Sequence, residues 1–104
     1  MEVFAVIWSS GSSDDHGIPH SFAGVHGVYK SKESAKTMLE VCKNDILSDI
    51  KNDLNPDGEY PDYEEEANIQ VYGSVEQEYF EIDYTLGTEP VEVYIGINAT
   101  RIED

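Results

Sequence analysis

The candidate functional groups of this sequence are its carboxylates, which stand out by their number and their spacing. The 104 residues include 22 Asp and Glu but only 6 Lys and Arg, so the formal net charge is −16. Between Asn52 and Thr100 there is no Lys or Arg, but there are thirteen acids: Asp53, Asp57, Glu59, Asp62, Glu64, Glu65, Glu66, Glu76, Glu78, Glu81, Asp83, Glu89 and Glu92. A surface of this charge repels nucleic acids and anionic membranes, and it attracts cationic proteins or metal ions.

One segment of the acidic half has the residue spacing of a calcium-binding loop. Residues 53–64 match D-x-[DN]-x-[DN]-G-x5-E at every specified position, with Gly58 at the sharp turn. The predicted oxygen donors are Asp53, Asn55, Asp57, Glu59 through its carbonyl, and Glu64. The segment resembles the EF-hand loop over these twelve residues and nowhere else. Its prolines and Tyr60 depart from the pattern, and no second loop accompanies it. Calcium is therefore an alternative prediction; otherwise no cofactor is predicted.

A second group of acids alternates with apolar residues near the end of the chain. Polar residues at 79, 81, 83, 92 and 94 share one face of a predicted hairpin. Carboxylates two residues apart on a strand are separated by roughly 6.6 Å, close to two phosphate steps of roughly 3.4 Å along one DNA strand. Tyrosines supply contact area at modest entropic cost. The predicted partner-binding residues are Asp57, Glu59, Asp62, Glu64, Glu65, Glu66, Tyr79, Glu81, Asp83, Glu92 and Tyr94.

No set of residues in the sequence has the pattern of a catalytic site. His16 and His20 are four apart, but Gly17 and Pro19 argue against the helix that would bring their rings together. Cys42 falls on an apolar helical stripe, as a small core residue does. No phosphate-binding glycine loop and no G-x-S-x-G motif occurs. We therefore expect a protein that is not an enzyme.

Hydrophobic periodicity predicts an α+β fold in one domain, residues 1–104. A mainly antiparallel sheet of about five strands would carry one long helix on one face. Ser31 is the expected N-cap of that helix, and Asn55-Pro56 would end it. The predicted elements are strands at 1–8 and 22–29, a polar loop at 9–21, a helix at 32–54, a short strand or connector at 68–72, and hairpin strands at 80–86 and 91–97.

Composition also bears on the compartment. The apolar start, residues 3–8, is too short for a secretory core, and no stretch reaches the roughly 18 to 20 apolar residues that span a bilayer. A lone Cys42 excludes an internal disulfide. These features predict a cytoplasmic protein, in the host cytoplasm if a phage encodes it.

In length, acidity and lack of catalytic motifs, the chain resembles the small inhibitors that phages and mobile elements encode against host nucleases. These include anti-restriction and anti-CRISPR proteins, several of which mimic DNA. The resemblance is one of class and implies a basic, nucleic-acid-binding partner such as a nuclease, with no direct binding to nucleic acid or membrane. The alternatives are a calcium-binding interaction module and a plain acidic interaction domain. A strand edge could also pair two copies, with their negative faces pointing apart.

Overall fold

One helix and five strands make up the computed structural model, which describes residues 1–13, 19–59, 67–87 and 89–102. The elements are β1 (Glu2–Ser13), β2 (Pro19–Tyr29), α1 (Lys32–Leu54), β3 (Gln70–Ser74), β4 (Tyr79–Leu86) and β5 (Glu89–Arg101). The strands form one sheet in the order β2-β1-β5-β4-β3, and every neighbouring pair is antiparallel. This confirms the predicted α+β class and the predicted order of elements.

Both ends of α1 lie where local capping chemistry places them. The Ser31 side chain accepts a hydrogen bond of 3.1 Å from the Ser34 backbone N–H, which satisfies one of the unpaired donors at the first turn. At the other end Asn55 is the C-cap, and its N–H donates to the Lys51 carbonyl at 3.0 Å. Pro56 follows, and the residue before a proline is disfavoured in a helix. The predicted helix 32–54 is confirmed.

The core lies between α1 and one face of the sheet. The helix contributes buried Ala35, Leu39, Cys42 and Ile50, and the sheet contributes residues that include Val6, Ile82, Val93 and Ile95. Side chains alternate along a strand, so the remaining residues of β1, β4 and β5 point to the opposite surface. We call that surface, on the side of the sheet away from α1, the open face.

The prediction of a polar loop at 9–21 was wrong. β1 continues to Ser13 and β2 begins at Pro19, so most of this Ser- and Gly-rich segment is strand. Ser9 to Ser12 pair with β2 on one side and β5 on the other. Their backbone groups are therefore satisfied by two ladders, and this non-local pairing outweighs the poor strand propensity of serine and glycine.

Candidate partner-binding face

The two hairpin strands place the five predicted hairpin residues side by side on the open face. The register pairs Glu81 with Tyr94 and Asp83 with Glu92 directly across β4 and β5. Tyr79 lies on the same face, two positions before Glu81. Directly opposed residues have Cβ atoms roughly 5 Å apart. The structure therefore brings the predicted acids and tyrosines of the hairpin into one patch.

Strand β3 extends this patch with a tyrosine that the sequence analysis missed. Tyr72 pairs with Glu81, so this glutamate stands between Tyr72 on one side and Tyr94 on the other. The Tyr72 hydroxyl donates to the side-chain oxygen of Gln70, which itself pairs with Asp83. The periodicity of 68–72 indicated only a short strand or connector, and its register against β4 depends on residues distant in sequence. We call Tyr72, Tyr79, Glu81, Asp83, Glu92 and Tyr94 the acidic half of the open face.

No positive charge balances the acidic half within the described strands. None of the open-face positions on the five strands, as far as the structure describes them, is Lys or Arg. The Oδ1 atom of Asp83 is buried and has no hydrogen-bond partner among the described residues. Asp83 also faces Glu92, and like charges directly opposite each other destabilise a strand pair. The arrangement thus costs stability.

Three helix lysines instead interact on the side of the sheet that carries α1. Lys32 Nζ lies 2.5 Å from Oε1 of Glu78, and Lys36 Nζ lies 4.0 Å from the same atom. Lys43 Nζ lies 5.0 Å from the centroid of the Phe80 ring. Glu78 is therefore one of the thirteen acids that does have a cation beside it. These lysines form no salt bridge with the described acids of the open face.

Comparisons with protein-family models, with curated protein sequences and with solved structures found no match.

The other half of the open face is apolar. Val25 and Val28 of β2 are 62% and 58% exposed, large fractions for aliphatic side chains, and they pair with Ile7 and Ala5 of β1. Both valines lie on this face because of a β-bulge: the register shifts between Val6 and Ile7, which leaves His26 without a partner in β1. Without the bulge, residues 25 and 28 would point to opposite faces. Alternation alone could not reveal this apolar half.

The remaining predicted partner-binding residues follow α1 and precede β3. Asp57 and Glu59 are exposed and follow the C-terminal end of α1. Asp62, Glu64, Glu65 and Glu66 lie outside the described residues. The structure therefore unites the hairpin part of the predicted set, and of the loop part it shows only that Asp57 and Glu59 are exposed.

The predicted calcium loop begins inside α1. Asp53 belongs to its last turn, Asn55 is the C-cap, and Gly58 has a left-handed φ of 69°. Within the described residues, no three acid, His or Cys side chains converge as metal ligands would, and Glu64 is outside them. Because β3 starts at Gln70, no helix of two turns follows position 64. The resemblance to the EF-hand thus stops short of a helix–loop–helix unit.

The described part of the chain holds no helix of the length and apolarity needed to cross a bilayer.

Proposed function

We propose that this chain is a non-enzymatic binding protein whose acidic half competes with nucleic acid for a basic groove of a partner protein. The partner is a nucleic-acid-binding protein such as a nuclease, and the encounter takes place in the cytoplasm, in that of the host if a phage encodes the chain. The observation that carries the proposal is the cation-free patch of acids and tyrosines on the open face.

The geometry of the patch is compatible with such a partner. Glu81 and Asp83 repeat along β4 at roughly 6.6 Å, and Glu92 adds a carboxylate in the neighbouring strand. A groove that binds phosphates presents Lys and Arg at comparable intervals along the nucleic-acid backbone. The tyrosines flank the carboxylates, and aromatic residues are enriched among the residues that dominate binding energy at protein interfaces. The sheet fixes the backbone of these residues, so less entropy is lost on binding than from a flexible segment.

Association driven by opposite charge should be fast and sensitive to salt. The ionic atmosphere screens exposed charges beyond about 8 Å at physiological ionic strength, so raising the salt concentration should slow association more than it speeds dissociation. Nucleic acid should displace the chain from its partner, since both would occupy the same groove.

The test is capture of partners from lysate by the immobilised chain, identification by mass spectrometry, and competition of each captured protein with DNA. Glu81→Lys with Asp83→Lys should abolish capture and competition. Asp45→Lys with Asp49→Lys makes the same change in net charge on exposed positions of α1 and should retain both. Equal losses in the two double variants, or a captured partner that DNA does not displace, would contradict the proposal. If nothing is captured, the plain acidic interaction domain becomes the better hypothesis.

The calcium-binding alternative is favoured by one observation, the left-handed φ of Gly58 at the position where the loop needs a sharp turn. A site formed only by the folded chain predicts a rise in melting temperature in millimolar calcium. Asp53→Asn should remove the rise, and Asp49→Asn, one helical turn earlier, should keep it. No shift, or the same shift in both variants, would rule this alternative out.

A further inference from the structure

A groove of about 480 Å³ runs between the second half of α1 and the sheet, on the side opposite the open face. Its inner wall is apolar: Ile46 and Ile50 come from the helix, and Trp8 and Val93 come from the sheet. A volume of this size is in the range of pockets for small organic ligands.

Three aspartates of α1 line the groove and are exposed to solvent. Asp45, Asp49 and Asp53 are four residues apart, so they form one row along the helix with a rise of about 6 Å between neighbours. The lining residues include no Lys or Arg. Among the described residues, no salt bridge joins any of the three to a cation. The groove therefore combines an apolar wall with a row of carboxylates that form no salt bridge with any Lys or Arg of the described residues.

Aromatic side chains face this row from the sheet. Trp8, Tyr84 and Phe22 line the groove, and Phe22 is 67% exposed. The indole of Trp8 can lie over β2 because residue 24 is glycine: a Cβ there would be 2.8 Å from ring atoms of the indole. Aromatic faces attract ammonium groups when the cation lies within about 6 Å of the ring centroid.

The negative charges of the α1 aspartates act on groups inside the groove. Burial raises the pKa of Tyr84, and the charge of Asp53 raises it further. Burial likewise raises the pKa of Cys42, and the charge of Asp45 adds to the effect. Burial is the larger cause of both shifts, and in each case the nearby aspartate adds to it by disfavouring a further negative charge at the groove wall. The same field favours a positive one.

We propose that this groove binds a linear aliphatic diamine or polyamine, with its ammonium groups beside the aspartate row and its methylenes against the apolar wall. A four-carbon spacer separates two ammonium nitrogens by about 6 Å when extended, from standard bond lengths. That distance equals the rise between successive aspartates. A divalent metal ion fits less well, because it needs several oxygens converging at roughly 2 to 2.6 Å. This ligand site is on the other side of the molecule from the proposed partner-binding face and does not depend on it.

Trp8 is the only tryptophan of the chain, so its fluorescence reports directly on the groove. We expect 1,4-diaminobutane and the triamine spermidine to change this fluorescence saturably with one-to-one stoichiometry at constant ionic strength. Butylamine, with one ammonium group, and 1,2-diaminoethane, with a shorter spacer, should bind several-fold more weakly. Calorimetric titration of the same samples supplies the affinity and stoichiometry independently.

Charge-matched variants separate a site from general attraction to an acidic protein. Asp45→Asn with Asp49→Asn should weaken diamine binding about tenfold, the expected scale for losing two exposed ion pairs. Glu81→Gln with Glu92→Gln removes the same charge from the open face and should change the affinity less than about twofold. Equal weakening in the two double variants, displacement by magnesium at matched ionic strength, or the absence of a saturable change would overturn the proposal.

Discussion

The ring of Tyr79 on β4 stacks on the ring of Tyr94 on β5, with centroids 5.9 Å apart and planes 13° from parallel. The two residues are diagonal neighbours, since Tyr79 pairs with Gly96 and Tyr94 pairs with Glu81. Glycine at 96 leaves room for the ring, because a Cβ there would lie 2.9 Å from the Tyr94 ring. Tyr94 remains 46% exposed, so the stack holds an aromatic surface rigidly in solvent. Under the proposed function, such a stack would lose little entropy on binding.

The stack should contribute a coupling free energy of about 0.5 to 1.5 kcal/mol to folding. A double-mutant cycle of Tyr79→Leu and Tyr94→Leu, followed by urea unfolding, measures it. The control cycle pairs Tyr72→Leu with Tyr94→Leu, because Glu81 separates these two residues. The control should be additive within about 0.5 kcal/mol. Additive costs in the first cycle would mean that the rings do not interact in solution.

Replacing Glu92 with Gln should stabilise the fold by a few tenths to about 1 kcal/mol at neutral pH and low salt, because it removes the like charge opposite Asp83. The gain should shrink in 1 M salt, where the charges are screened. Urea unfolding measures it, and Glu81→Gln is the matched control, since Glu81 faces a tyrosine. Under the proposed function the same change should weaken partner binding. An equal gain in the control would assign the effect to net charge alone.

Gly24→Ala should destabilise the fold by about 1 to 3 kcal/mol, the usual cost of overpacking. The new methyl group would meet the Trp8 indole at 2.8 Å, and the indole cannot move without disturbing the groove. Gly11→Ala is the control, because a Cβ at position 11 has nothing within 4 Å. Thermal unfolding and Trp8 emission report the two effects. Unchanged emission in Gly24→Ala would show that the indole does not pack on β2.

Stability should fall as the pH rises above 9, with a contribution from Cys42 and Tyr84. Burial raises both pKa values in the folded chain above the ordinary values of 9.0 and 10.0, with Asp45 and Asp53 adding to the shifts. The unfolded chain then releases protons that the folded chain retains. The stabilisation is therefore complete below the unfolded pKa values and is lost as the pH rises through the folded ones.

Urea unfolding between pH 8 and 11 measures this loss. Cys42→Ala and Tyr84→Phe should each flatten the alkaline part of the curve. If the curves of both variants run parallel to that of the unaltered chain, then repulsion among the carboxylates accounts for the whole alkaline loss.

The helix ends and the strand faces could be predicted from the sequence because they depend on local interactions. Ser31 and the Asn55-Pro56 pair mark the ends of α1 because capping and proline geometry involve only a few neighbouring residues. Alternation along β4 and β5 placed the acids and tyrosines of the hairpin on one surface, since side chains on a strand point alternately to its two faces. The sequence by itself thus determined the fold class, the helix and the shared face of the hairpin.

Tertiary structure decided the features that depend on pairing between distant residues. Ser9–Ser12 are strand because β2 and β5 both pair with them, and the bulge at His26 places Val25 and Val28 on the same face. Tyr72 joined the acidic half through the register of β3, and the groove beside Trp8 formed where α1 crosses the sheet. Periodicity and capping act over a few residues. Sheet order, register and helix placement come instead from hydrogen bonds and packing between residues far apart in the chain, which no local pattern encodes.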